Sequence, residues 1–213
     1  MAGHETRMLL LGAVALFEPV NGYQIRRELL SWQVEDWANV NPGSIYNGLA
    51  TLTRQGHLVR HDLLDAGREV AVYEMTEAGR DELNRLLATS LETVDLYDVV
   101  AFHAAIGMLP LIRRPEAIAH LQKRLSALDE TIDHLARIAR DDRDSMPPHA
   151  MLGLELQLER ARAERAWLVE ALDDVRSGDL TFLGERWTWE APADDPGWQM
   201  NLDREKYRAL LGR

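Results

Sequence analysis

The segment Asn41-Pro42-Gly43-Ser44-Ile45-Tyr46 combines residue types suited to a phosphate and to a base edge. Asn is a strong helix N-cap, and Pro at the first helical position gives up an N–H that has no helical partner. A helix starting there presents free backbone N–H groups and the positive end of its dipole, which favours an anion. Ser44 can hydrogen-bond a phosphate or a base. Ile45, Leu49 and Leu52, at spacings of four and three, form one buried stripe. Tyr46 and Asn47 then lie on the opposite side, where Asn can pair bidentately with adenine in a major groove. Thr51 and Arg54 extend that face by one turn each. The same pattern also suits a capped surface helix without a ligand.

Other chemistries find little support. With no cysteine among 213 residues, disulfides, thiol catalysis and zinc–thiolate sites are excluded. No Gly-rich phosphate loop, Ser-His-Asp set or His-Glu-x-x-His pattern occurs. His120 and His134 stand far apart on one helical stretch without carboxylates at metal spacing, and His103, between Phe102 and Ala104, reads as a core or interface residue. The expectation is therefore no enzyme, no catalytic residue, no metal and no cofactor. The net charge of −11 argues at first against a polyanion, but it is unevenly placed. Residues 1–80 hold 7 Lys and Arg against 10 Asp and Glu, and Trp37 to His61 contains Arg54 and Arg60 but no acid. The local field decides what a small patch meets.

The elements that must position these residues read as mainly helical. Glu5 to Phe17 is apolar enough to be a buried helix; Ala13-Val14-Ala15 mimics a signal-peptidase site, but the run passes directly into further periodic helix and falls short of a membrane span. Asn21 caps a second helix over Gly22–Trp32, and the third runs from Pro42 until Gly56 closes it. Two strands follow, His57–Leu63 and Val70–Met75, with a turn over Leu64–Arg68. Three helices and a β-hairpin give the winged-helix order. Helices are expected over 77–91 and 95–109. Ile118, Leu121, Leu125, Leu128, Ile132, Leu135 and Ala139 then make a heptad seam, which Leu154, Leu158, Ala161, Leu168, Leu172 and Val175 continue after Pro147-Pro148, with Arg165 as an interruption. The pair reads as an antiparallel hairpin whose seam is satisfied within one chain or by a second. From about Asp179 an irregular arm carries Trp187, Trp189, Trp198 and Tyr207. The expected division is a winged helix-turn-helix over 1–90, a helical domain over 91–178 and the Trp-rich arm over 179–213.

Residues 8–80 resemble the PadR family of winged-helix transcriptional regulators. The resemblance rests on Leu10-Leu11-Gly12, Asn21-Gly22-Tyr23-Gln24-Ile25, Pro42-Gly43-Ser44-Ile45-Tyr46, Leu49 with Leu52, Gln55-Gly56-His57-Leu58, Tyr73 and Thr76-Glu77-Ala78-Gly79-Arg80. The Gly-Tyr-x-Ile and Pro-Gly-Ser-Ile-Tyr elements, about twenty residues apart, are its most specific part. Pro148-His149-Ala150-Met151, followed by a helix reaching Ala166-Trp167-Leu168, is similar to the C-terminal helical domain of longer members. The resemblance implies a cytoplasmic homodimer bound to a palindromic promoter site on double-stranded DNA, acting as a repressor released by a small hydrophobic or aromatic effector, with no membrane partner. It implies DNA contacts at Tyr23, Ser44, Tyr46, Asn47, Thr51, Arg54 and the wing residue Arg68. It places the dimer interface on the C-terminal helices, at Ile118, Leu121, Leu125, Leu128, Leu154, Leu158 and Trp167. Trp32, Trp37 and Trp167 are candidates for an effector pocket, with core packing the alternative. Two departures stand out. Asn47 occupies a position where the family usually has Pro, and the wing, Gly67-Arg68-Glu69-Val70-Ala71-Val72-Tyr73, holds one Arg beside an acid where several basic residues are usual. Fewer phosphate contacts mean a shallower salt dependence, since each contributes a slope of about −0.9 on B-DNA. The competing reading is a winged-helix protein–protein module without strong DNA binding.

Overall fold

A computed structural model describes residues 3–38, 40–187, 190, 192–195 and 197–212. Its contacts divide the chain into two compact units, residues 1–87 with 187–213, and residues 88–186. The architecture is mainly helical with one small antiparallel sheet, as the sequence predicts.

The first unit is a winged helix. Helix α1 (His4–Phe17) is its central rod: Met8, Leu9, Leu10, Leu11, Ala13 and Val14 are all buried. Strand β1 (Val20–Asn21) follows, then α2 (Gly22–Ser31), the single-turn α3 (Val34–Trp37) and α4 (Pro42–Arg54). The hairpin β2 (Leu58–Asp65) and β3 (Arg68–Met75) closes the wing. The sheet order is β1-β3-β2, with Val20 opposite Tyr73 and Asn21 opposite Val72. Three features differ from the sequence expectation, the first being α3, which falls in the connection expected between the second and third helices. The turn is only Ala66-Gly67, both at positive φ (47° and 81°), so the strands run on to the register pair Asp65 and Arg68. This is the backbone of a tight two-residue hairpin, and Ala is an unusual first residue for it. The third strand, β1, is two residues long and leaves no period-2 pattern to read.

Two glycines are fixed by close approach. A Cβ on Gly48 of α4 would stand 2.2 Å from Leu10 Cδ1 of α1. Helix α5 (Glu77–Glu92) begins with its first turn pressed on the end of α4: Thr76 Oγ1 donates to Gly56 O at 2.7 Å and accepts from Gly79 N at 3.0 Å, and Thr76 N donates to His57 O at 3.1 Å. A Cβ on Gly79 would stand 2.0 Å from His57 O, a backbone atom that cannot swing away. Gly→Ala in a helix ordinarily stabilises by up to about 1 kcal/mol. At Gly79 the sign should reverse, with a loss of about 2–3 kcal/mol. Gly153, inside a long helix with nothing within 4 Å of its would-be Cβ, should show the ordinary gain. Urea denaturation of the two alanine variants should move the midpoint in opposite directions; two shifts of the same sign would contradict the packing at His57.

In the second unit, α6 (Val100–Gly107) and a 3-10 turn at Leu109–Leu111 precede the long helices α7 (Arg114–Asp141) and α8 (Pro148–Ser177). Helix α6 is shorter than the stretch expected over 95–109, because the Asp95 carboxylate accepts from Tyr97 N and Asp98 N and holds a non-helical turn there. Helices α7 and α8 form the expected hairpin and bury Leu121, Leu128, Leu158, Ala161, Leu168, Leu172 and Val175 within one chain. The interruption at Arg165 is an ion pair with Asp129 of the facing helix.

The segment after 186 departs from the irregular arm expected of it. Helix α9 (Gly197–Leu210) packs in the first unit against α1 and β1, burying Met200 and Tyr207. Trp187 and Trp198 are largely exposed, and Trp198 Nε1 donates to Pro192 O at 2.7 Å. Trp189 lies outside the described residues.

Candidate functional site

Helix α4 carries the candidate site. Asn41 caps it, its Oδ1 accepting from Ser44 N at 3.0 Å, and Pro42 occupies the first turn. Ile45, Leu49 and Leu52 are buried as the stripe predicts, which turns Tyr46, Asn47 and Arg54 outward. Ser44 and Thr51 are half-buried. The Ser44 hydroxyl already donates to Asn41 O at 2.7 Å, so it must rotate before it can donate to an anion. Arg54 Nη2 donates to Thr51 Oγ1 at 3.3 Å, a contact weak enough to yield to a phosphate.

Tyr46 is less free than the helix phase alone suggests. It is 46 % exposed, yet its ring lies over the first residue of α2: a Cβ on Gly22 would meet Tyr46 Cε1 at 3.2 Å and Tyr73 Cε2 at 3.6 Å. The contact explains why Gly precedes Tyr23, and it brings α2's N-terminal turn beside α4. Tyr23 is 62 % exposed there. Burial pushes the Tyr73 phenol above its ordinary pKa, keeping it neutral beneath this surface. Tyr23, Ser44, Tyr46 and Asn47 therefore cluster at the α2–α4 junction, and Thr51 and Arg54 continue along α4. Arg68 sits apart at the wing tip, exposed, roughly 20 Å of strand away from the sheet's base.

The wing is chemically mixed. Arg60 pairs with Asp62 at 2.7 Å, and His61 Nε2 lies 2.8 Å from a Glu74 carboxylate oxygen. Lys206, from the other end of the chain, reaches Asp65 at 2.6 Å. Lys206 escaped sequence reasoning because nothing local to it signals a partner 141 residues away.

The remaining candidates fall differently. Ile118, Leu125 and Leu154 are half-buried, while Leu121, Leu128 and Leu158 are closed within the hairpin of a single chain. Trp167 is 44 % exposed, its ring edge-on to Phe102 at 6.0 Å. Trp37 Nε1 donates to Trp32 O at 2.8 Å, and Trp32 stacks obliquely near Phe17. Trp32 and Trp37 belong to the first unit and Trp167 to the second.

Residues 10–85 match the model of the transcriptional regulator PadR-like family. Over those residues the winged helix is similar to the PadR-like family. The match runs from the middle of α1 into α5, so it contains the α2–α4 junction and the wing. The PadR-like family is one of transcriptional regulators, not enzymes. No curated protein matches the chain. Among solved structures, it is similar to PadR of Bacillus subtilis, solved in complex with operator DNA, at 21% identity over 78% of this chain and 98% of that one, with a TM-score of 0.33. It is also similar to the PadR-like regulator BC1756 from Bacillus cereus, at 16% identity over 82% of this chain and 97% of that one, with a TM-score of 0.37. A third likeness is smu.1604c from Streptococcus mutans UA159, at 19% identity over 81% of this chain and 99% of that one, with a TM-score of 0.35. The family match covers the winged helix alone. Among the described residues no helix is long and apolar enough to cross a membrane.

Proposed function

We propose that the chain is a sequence-specific, DNA-binding transcriptional repressor, acting as a homodimer on a palindromic promoter site. The single observation that carries this is the outward face of α4. A capped helix in a PadR-like winged helix buries Ile45, Leu49 and Leu52 and offers Tyr46, Asn47 and Arg54 to a major groove. Its surroundings from Trp37 to His61 hold no acid.

Dimerisation falls to what the hairpin leaves open. Leu152, Leu156, Trp167 and Val169 of α8 remain exposed, and Ile118, Leu125 and Leu154 are half-covered. Release by a hydrophobic or aromatic effector is the regulatory part of the proposal, with Trp32, Trp37 or Trp167 as the aromatic surfaces that would receive it.

The experiment is retardation of the protein's own promoter region at rising salt. Binding at ~50 mM salt with a linear loss on a logarithmic salt scale is expected, at a slope of only a few units because each phosphate contact contributes about −0.9. Absence of any retardation at that salt would favour the protein-binding reading, to which the acids Asp62, Asp65 and Glu69 of the wing are better suited.

A further inference from the structure

Besides burying Met200, whose sulfur accepts from Arg27, helix α9 meets the rest of the first unit at four further polar points among the described residues. Tyr207 Oη accepts from Asn21 Nδ2 at 2.8 Å, and Asp203 accepts from Gln24 Nε2 at 2.8 Å. Asn21 and Gln24 are the two halves of the capping box of α2. Arg204 donates to Phe17 O and Leu16 O, carbonyls at the end of α1 that have no helical partner. The fourth point is Lys206 Nζ on Asp65 Oδ2 at 2.6 Å, and this bond holds the lysine's pKa above its ordinary value. Three anchors fix the helix, so Lys206 is delivered to the wing rather than reaching it by chance.

Its target has a second suitor. Asp65 is the register partner of Arg68 across the two-residue turn. Directly opposite residues in an antiparallel pair stand about 4.5–5.5 Å apart at Cβ, within reach of a carboxylate–guanidinium pair. Yet Arg68 is exposed and makes no ion pair among the described residues. Lys206 occupies the carboxylate that would otherwise take it.

From this we infer that Lys206 is a positioning residue for the wing: by holding Asp65, it keeps Arg68 available to a phosphate. The inference rests on the DNA-binding reading above. It makes the C-terminal helix part of the DNA-reading head and gives a reason for a wing with so few cations to work at all.

The test uses the full chain as wild type, Lys206→Gln, Asp65→Asn and the double variant, measured by anisotropy on the promoter fragment at ~50 mM salt. Lys206→Gln should weaken binding about three- to five-fold, an effect of the size a partly exposed ion pair supports and one that fades as salt rises. Asp65→Asn should bind at least as well as wild type, and the double variant should recover to within two-fold of it. An unchanged affinity in Lys206→Gln overturns the inference. So does a loss that persists in the double variant, since Lys206 would then touch DNA directly. A DNA-free readout keeps the two readings apart: solvent exchange of the Arg68 Nε proton, followed by NMR, should slow in Lys206→Gln and recover in the double variant. If that pattern appears but wild type binds no promoter DNA, the competition for Asp65 stands and the DNA-binding reading falls. If wild type binds DNA and the exchange rate is unmoved, the inference alone falls.

Discussion

Replacing Arg124 by alanine should destabilise the second unit by about 3–5 kcal/mol, the cost of breaking a buried charge pair by removing one partner. Arg124 is 1 % exposed in α7, yet its guanidinium finds both an acid and backbone carbonyls. Its Nε donates to Glu164 of α8 at 2.6 Å, its Nη1 reaches the carbonyls of Ser90 and Thr93, and its Cζ lies 3.5 Å from the centroid of the Phe102 ring. One side chain thus joins α7, α8, α6 and the C-terminal end of α5. Alanine would leave the Glu164 carboxylate, itself 16 % exposed, without its partner, strand two carbonyls and open a cavity beside Phe102. Arg124→Met, which refills the volume, should lose less, and Arg124→Met with Glu164→Leu less again, because a buried ion pair replaced on both sides by apolar groups is often close to neutral. Chemical denaturation of the three variants gives the ranking. Equal losses in the alanine and double variants would mean that water reaches the site and that the pair is solvated.

Arg124 also shows what could and could not be read in advance. The heptad of α7 places it between Leu121 and Leu125, where periodicity marks the seam but does not say that an arginine will be drawn in beside it. What draws it in is the carbonyl pair of Ser90 and Thr93 at the end of α5 and an acid on α8, both distant in sequence. The elements themselves were legible wherever a local rule dictates them. Asn41 and Pro42 start α4, the stripe of Ile45, Leu49 and Leu52 phases it, and Pro148 starts α8. The sequence predicts a longer wing turn because Ala66 takes a positive φ that Ala disfavours, and the strands close around it only because their register is fixed lower down. Helix α9 was illegible for a different reason. Pro192, Pro196 and Gly197 punctuate its approach, and its apolar residues Met200 and Tyr207 find their partners in α1, β1 and α2, nearly the whole chain away.

Asn47→Ala should abolish discrimination of the operator while leaving the fold intact. Asn47 is exposed on α4, one residue past Tyr46, and no residue of the core depends on it. A bidentate Asn–adenine pair discriminates against the wrong base by about 1–3 kcal/mol, roughly a factor of five to more than a hundred. In a dimer the loss is taken once in each half-site. Binding to unrelated DNA, which rests on phosphate contacts, should be almost unchanged, so the specific and non-specific affinities should converge. Tyr46→Ala is the instructive companion. It should also weaken specific binding, but it uncovers Gly22 and the top of Tyr73 and so should cost about 1 kcal/mol of stability as well. Competition anisotropy with operator and scrambled duplexes, run beside thermal melts of both variants, separates the two effects. If Asn47→Ala retains full discrimination, base reading lies elsewhere on α4, and Arg54, about two turns further along the same face, becomes the residue to remove next.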